Sequence, residues 1–231
     1  MTAVAVIAKE CRPGRVKTRL TPPFTPEQAA ALAAAALDDT LDVVGALAVD
    51  RRVLYFDGDA VPAGAAGFDL LAQPPGELDE RLAHLFDVMD EPTLLVGMDT
   101  PQLTPALVAA ALDLDDRPAG RAVSGGPPAA PMREGPDGSP TPDAWLGPAA
   151  DGGFWALAMR NPDGGVIRGV PMSRDDTGRR QLERLEAAGL IVGLLGELTD
   201  VDTASSAASV ALAAPGTRFA RLHRELAGGR P

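Results

Sequence analysis

The chain is poor in the residue types on which several common chemistries depend. Cys11 is its one cysteine, which excludes an internal disulfide framework and leads us to expect a reducing, cytoplasmic setting. His84 and His223 are its two histidines, so a multi-histidine zinc site is excluded and a Ser-His-Asp triad is disfavoured. No charge-free apolar stretch approaches the ~20 residues that span a bilayer. The opening run Val4 to Ala8 is closed by Lys9 before a secretory h-region can form, so no export signal is expected. Excess positive charge is also missing. A net charge of −11 disfavours general binding to nucleic acid or to an anionic membrane.

Lysine is the most telling scarcity. Of 21 basic residues only Lys9 and Lys17 are lysines, and they stand eight residues apart. Residues 1–20 carry five basic side chains against Glu10, a net of +4, which leaves −15 on the other 211. A cluster of cations in one short loop of an acidic protein points to a small, strongly anionic ligand. Two compact ammonium groups among arginines point the same way. Any divalent metal would rest mainly on carboxylates, which favours magnesium or manganese.

The 231 residues, 45% hydrophobic and 23% charged, suit a globular domain with a sizeable core. Short apolar strands and amphipathic helices alternate. Residues 3–8, 52–57, 68–73, 93–98, 154–159 and 190–195 read as strands. Helices are expected from Pro26 to about residue 47, over 77–89, from Pro105 to about 114, over 176–188, and in two short pieces near 203–213 and 217–227. Thr25-Pro26-Glu27-Gln28 supplies an N-cap, a proline at N1 and a capping-box glutamine. The alternation predicts a three-layer α/β architecture with a mostly parallel sheet, in which ligands gather beyond the carboxyl ends of the strands. Residues 115–142 break the pattern with many Pro and Gly residues. They read as an insertion within one domain, and as a mobile lid near an acceptor pocket.

Four segments carry candidate chemistry. In Lys9-Glu10-Cys11-Arg12-Pro13-Gly14-Arg15-Val16-Lys17-Thr18-Arg19, Gly14 lets backbone N–H groups approach phosphate oxygens, with lysines and arginines to neutralise them. Neighbouring cations would favour the Cys11 thiolate, but without a partner histidine it reads as a tolerated small residue rather than a nucleophile. Gly97-Met98-Asp99-Thr100-Pro101 places a carboxylate just past a buried strand, where it can hold a cation on phosphates or simply satisfy a turn. Asp151-Gly152-Gly153 leads into a strand and reads either as the border of a ligand pocket or as a hairpin turn. Asp200-Val201-Asp202-Thr203 reads most simply as a helix cap.

Taken in order, these segments resemble a known group. Ala8-Lys9 with Arg12-Pro13-Gly14-Arg15-Val16-Lys17-Thr18-Arg19-Leu20 is similar to the opening of bacterial GT-A-like transferases of the arsenosugar-biosynthesis glycosyltransferase type. These are relatives of 2-phospholactate guanylyltransferases and molybdenum-cofactor nucleotidyltransferases. Gly97 to Pro101, Gly147 to Gly153, Val170 to Ser173 and Asp200 to Thr203 resemble the group's later motifs. The resemblance implies a nucleotide-diphospho-sugar transferase fold, GT-A and Rossmann-like, over residues 1–231. It implies that Lys9, Arg12, Gly14, Arg15, Lys17 and Arg19 bind nucleotide phosphates and that Asp99 and Asp202 hold Mg²⁺ or Mn²⁺. Asp151, Gly152 and Gly153 would border the acceptor or sugar pocket, and Lys17, Asp99 and Asp151 would be the catalytic set. The sequence departs from the group at Gln102, where a second acid is common.

The partners implied are a nucleotide or nucleotide sugar and a small-molecule acceptor. Three functions follow: a metal-dependent glycosyltransferase, a nucleotidyltransferase releasing pyrophosphate, and a nucleotide-binding protein without turnover. Gln102 is the sequence support for the third.

Overall fold

A computed structural model describes residues 2–112 and 141–228. Seven strands form one sheet in the order β3-β2-β1-β4-β6-β5-β7. They are β1 (Ala3–Lys9), β2 (Arg51–Asp57), β3 (Asp69–Ala72), β4 (Thr93–Gly97), β5 (Ala144–Pro148), β6 (Phe154–Met159) and β7 (Val192–Leu194). The helices are α1 (Pro26–Ala46), α2 (Leu78–Val88), α3 (Pro105–Leu112), α4 (Thr177–Ala187), α5 (Ala204–Ala213) and α6 (Arg218–Gly228). The expected insertion at 115–142 falls almost wholly outside the described residues.

The sheet is mostly parallel because strands joined through helices return in the same direction. β6 alone runs against its neighbours, pairing antiparallel with β4 and with β5. Its first residues therefore lie level with the carboxyl ends of β1 and β4. The sequence pattern had not marked β5, whose short run ends in Gly147-Pro148 with a register shift against β6. The Asp-Gly turn reading holds: residues 149–153 form the β5–β6 hairpin, closed by Gly152 N–H donating to Ala149 O at 2.9 Å.

Both faces of the sheet are covered, as a parallel core requires. On one face Val4, Val6, Leu54, Leu94 and Val96 pack with α1 residues Leu37, Leu41 and Val44 and with α3 residues Val108 and Ala111. On the other, Ala3, Ala5, Val53, Leu95 and Leu157 pack under Leu82, Leu85 and Phe86 of α2 and Leu185 of α4. A third cluster joins Leu20 and Phe24 to the amino-terminal half of α1, to α5 and α6, and to Val201. The capping box on α1 forms as expected, Thr25 and Gln28 exchanging hydrogen bonds of 3.2 and 2.9 Å.

Gly152 sits at φ +89°, and a Cβ there would come within 1.9 Å of the Asp175 carbonyl oxygen. The hairpin is thus pressed against the loop before α4, with Gly178 N–H donating to Gly152 O at 2.8 Å. Gly152→Ala combines a left-handed backbone with a backbone clash and should cost at least about 2 kcal/mol of stability. A lowered urea midpoint checks it; an unchanged midpoint would mean the hairpin and loop are not packed this way.

Candidate functional site

The loop after β1 is held at both ends. Glu10 N–H donates to Asp57 O at 2.8 Å, Val16 is buried, and Leu20 enters the third core cluster. Between these anchors Lys17 adopts a left-handed conformation, φ 48° and ψ 41°. A lysine in that region is uncommon and strained, and such residues concentrate at functional sites. Its ammonium lies 2.5 Å from Asp99 Oδ2 and 3.9 Å from Asp202 Oδ1, with the lysine side chain 10% exposed. Arg19 binds the other oxygen of Asp202 at 2.7 Å.

Asp99 follows β4, and its backbone carbonyl accepts from Val201 N–H at 2.9 Å. That bond ties the Asp200-Val201-Asp202 segment to the end of β4. Val201 is fully buried, which turns the flanking aspartates toward the strand ends. Asp202 is therefore more than a neighbour of a helix cap, although Thr203 does cap α5 through Ser206. Burial works against the charge of Lys17, but Asp99, followed by Asp202 and Asp200, outweighs it and holds the ammonium pKa above its usual value. Burial, then the charges of Asp99 and Asp151, pushes the Asp200 carboxyl up to about 7.

Two cavities meet at this cluster. The smaller, about 220 Å³, is lined by Lys9, Arg15, Lys17, Thr18, Arg19, Met98, Asp99 and Asp202. The larger, about 800 Å³, takes in Lys17, Arg19, Asp99, Asp151, Gly153, Asp200 and Asp202, and extends over apolar side chains toward α2. Asp151 Oδ1 accepts from Gly153 N–H at 2.8 Å, so its other oxygen is free among the described residues.

Lys9, Arg15, Lys17, Arg19, Asp99, Asp151, Gly153 and Asp202 thus line one or both cavities. Gly152 shapes the hairpin behind them. Gly14, at φ +74°, lines neither cavity, and a Cβ there would meet nothing within 4 Å. Arg12 turns away: it bonds Glu10 at 2.7 Å and Asp59 at 2.9 Å, bracing the β1 loop against the loop after β2. Hydrogen bonds from Arg12 and from the Asp59 backbone hold the Glu10 carboxyl down at about 2. Cys11 departs from the thiolate tendency expected from nearby cations, since burial, followed by Asp38, pushes its thiol up to about 11. Gln102 donates to Thr199 O at 2.6 Å, steadying the segment that carries Asp200 and Asp202. An acid there would face a carbonyl oxygen.

Asp200, Ser173 and Arg174 line the larger cavity without having been singled out. Asp200 lay within a motif whose cap reading explained it sufficiently; Ser173 ends the Val170 to Ser173 segment, to which no site role was given, and no local pattern marks Arg174. Ser173, at φ 58°, is the second left-handed non-glycine residue among those described.

A divalent cation can be tested against this geometry. Two carboxylates converge on one position, that of the Lys17 ammonium. Among the described residues no group of three or more His, Cys, Asp or Glu side chains is placed to hold a metal. Two carboxylates suit a hard cation that completes its shell with water and substrate phosphates, and do not suit an all-protein cage. Asp99 and Asp202 fit Mg²⁺ or Mn²⁺ on those terms.

Comparison with known proteins agrees with this architecture. A family model described as "Uncharacterized protein conserved in bacteria (DUF2064)" matches residues 31–127. No curated protein sequence matches. A solved structure from Desulfovibrio desulfuricans G20, provisionally named a nucleotide-diphospho-sugar transferase, is 23% identical with a TM-score of 0.77, over 98% of this chain and 95% of its own. CMP:2-keto-3-deoxy-manno-octonic acid synthetase, solved with CTP, is 13% identical with a TM-score of 0.50, over 97% of this chain and 99% of its own. The chain has the GT-A-like fold of the nucleotide-diphospho-sugar transferases.

Removing the Lys17 charge leaves Asp99 and Asp202 facing each other without their shared cation. Lys17→Met should cost about 1–3 kcal/mol, less than a fully buried pair because both carboxylates keep contact with water. Urea denaturation measures it. An unchanged stability would mean the ammonium does not neutralise the pair.

Proposed function

We propose that the protein is a metal-dependent glycosyltransferase that moves a sugar from a nucleotide-diphosphate donor to a small-molecule acceptor. The observation that carries this reading is the Lys17–Asp99–Asp202 cluster, which stands where a cationic cavity opens into a larger one. The smaller cavity suits the donor phosphates. Lys9 and Arg15 line it with no side-chain partner among the described residues, and Lys17 and Arg19 complete the cationic wall. A Mg²⁺ or Mn²⁺ held by Asp99 and Asp202 would neutralise charge gathering on the departing diphosphate.

The larger cavity then receives the sugar and the acceptor. The acceptor oxygen bonds to the anomeric carbon while the bond from that carbon to the diphosphate breaks, its electron pair leaving with the diphosphate. The hydroxyl proton passes to the free oxygen of Asp151. Lys17, Asp99 and Asp151 are the catalytic residues of this reading, and Gly152 and Gly153 set the border of the sugar pocket.

One observation favours a second reading. Four cations around a cavity of about 220 Å³ suit a triphosphate, the donor of a nucleotidyltransferase. Pyrophosphate release from an NTP on adding an acceptor would select it. The third function, binding without turnover, loses its support because Gln102 steadies the Thr199 carbonyl and does not line either cavity.

Calorimetric titration with nucleoside diphosphates, with and without Mn²⁺, tests the donor site. Asp99→Asn should abolish the Mn²⁺-dependent part of the affinity with the fold intact, since a hard oxygen ligand loses its charge at nearly constant volume. Lys17→Ala should weaken binding about tenfold to a hundredfold, the worth of a charge-assisted phosphate contact. Arg224→Ala, on the outer face of α6, should change it by less than about 0.5 kcal/mol. Full Mn²⁺-dependent affinity in Asp99→Asn, or equal small effects of Lys17→Ala and Arg224→Ala, would defeat the assignment.

A further inference from the structure

The apolar arm of the larger cavity lies beyond the charged cluster that would hold phosphates and a metal. Its walls are Ile7 of β1, Leu78 and Leu82 of α2, Leu95 of β4, Leu157 of β6, and Met172 from the loop before α4. Leu82, Leu95 and Leu157 are buried members of the core cluster on the α2 face. Ile7, Leu78 and Met172 pack against that cluster yet stay only half-buried, as does Phe154 beside them. The core is thus left open along one edge, toward the strand ends. Half-covered aliphatic walls of this kind take an apolar ligand body, because each methylene removed from water adds favourable free energy.

The charges around the same cavity narrow the choice. Lys17 and Arg19 are occupied by Asp99 and Asp202. The full charges left over are Asp151 and Asp175 against the single guanidinium of Arg174, whose charge also acts on Asp176. Two carboxylates against one cation disfavour a phosphorylated or carboxylated acceptor on this side. Counted in the same way, the smaller cavity has the opposite balance, with Lys9 and Arg15 left over and no carboxylate to offset them. The two compartments therefore separate a polyanionic ligand from one that carries no negative charge.

We propose that the acceptor is an alcohol with an apolar carbon body and no anionic group, its body lying between Ile7, Leu78, Leu82, Leu95, Leu157 and Met172 and its hydroxyl toward Asp151. This rests on the transferase reading, of which it names the acceptor class. It also favours glycosyl transfer over nucleotidyl transfer to a phosphorylated acceptor.

The probes are n-butanol, n-hexanol and n-octanol, with octanoate as the anionic counterpart of octanol, titrated into the full chain by calorimetry. Affinity should rise about tenfold for each two methylenes added. Octanol should bind at least fivefold more tightly than octanoate. Met172→Gln and Leu78→Gln, at half-buried wall positions where a polar amide is tolerated by the fold, should each weaken octanol binding about fivefold or more. Melting curves identify any variant that fails to fold, and the other variant and the wild-type chain-length series then carry the test.

Affinity that is flat with chain length, or octanoate binding as tightly as octanol, would overturn the proposal. A nucleoside diphosphate binding with Mn²⁺ while no alcohol binds would defeat this inference and leave the transferase reading standing. Alcohol binding with no affinity for any nucleotide would instead defeat the transferase reading, and with it the acceptor role of the cavity.

Discussion

The site depends on one ammonium group held between two carboxylates. Lys17, Asp99 and Asp202 come from the loop after β1, the end of β4 and the segment before α5, which are far apart in sequence. Three like-signed aspartates, counting Asp200, could not gather at the strand ends without a compensating cation. Lysine serves here because its charge is compact and its stem flexible enough to reach in from a left-handed turn, where a planar guanidinium would demand more room. Arg19 completes the neutralisation from the solvent side. The cluster is thus both a structural clasp and the place where an incoming cation would find its ligands.

What holds the clasp in register is apolar. Leu20 and Phe24 on one side and Val201 on the other enter the same cluster with α1, α5 and α6. The basic loop and the aspartate segment are therefore pinned to a common core a few residues from the charges they present. The short helices at the end of the chain have a clear purpose in this light. They cover Val201, and so fix the direction of Asp200 and Asp202. Asp39 belongs to the same arrangement, accepting from the first backbone N–H groups of α6 at 2.9 Å.

Much of this was legible in the sequence because it rests on local signals. The apolar run of β1, the capping box of α1 and the crowding of cations between Lys9 and Arg19 each announce themselves within a dozen residues. The roles of individual members did not. Arg12 and Arg15 look alike in sequence, yet Glu10 and Asp59 capture the first and leave the second beside the cavity. β5 was hidden because Gly147 and Pro148 are turn-forming residues that here end a strand. The apolar arm was invisible for a different reason. Ile7, Leu82, Leu95 and Leu157 carry the periodicity of ordinary core residues, and only the packing of α2 over the sheet shows where the core stays open.

The reversal of β6 has a consequence for how this site can change. An edge built from parallel strands alone offers only strand-to-helix connections, whose lengths are tied to the helices that follow. One reversed strand adds a hairpin tip, residues 149–153, to that edge. A hairpin tip can be lengthened, shortened or rewritten without shifting any strand of the sheet. The same molecule thus has one rim that is geometrically committed, around Lys17 and Asp99, and a facing rim, around Asp151, that evolution can revise piecemeal.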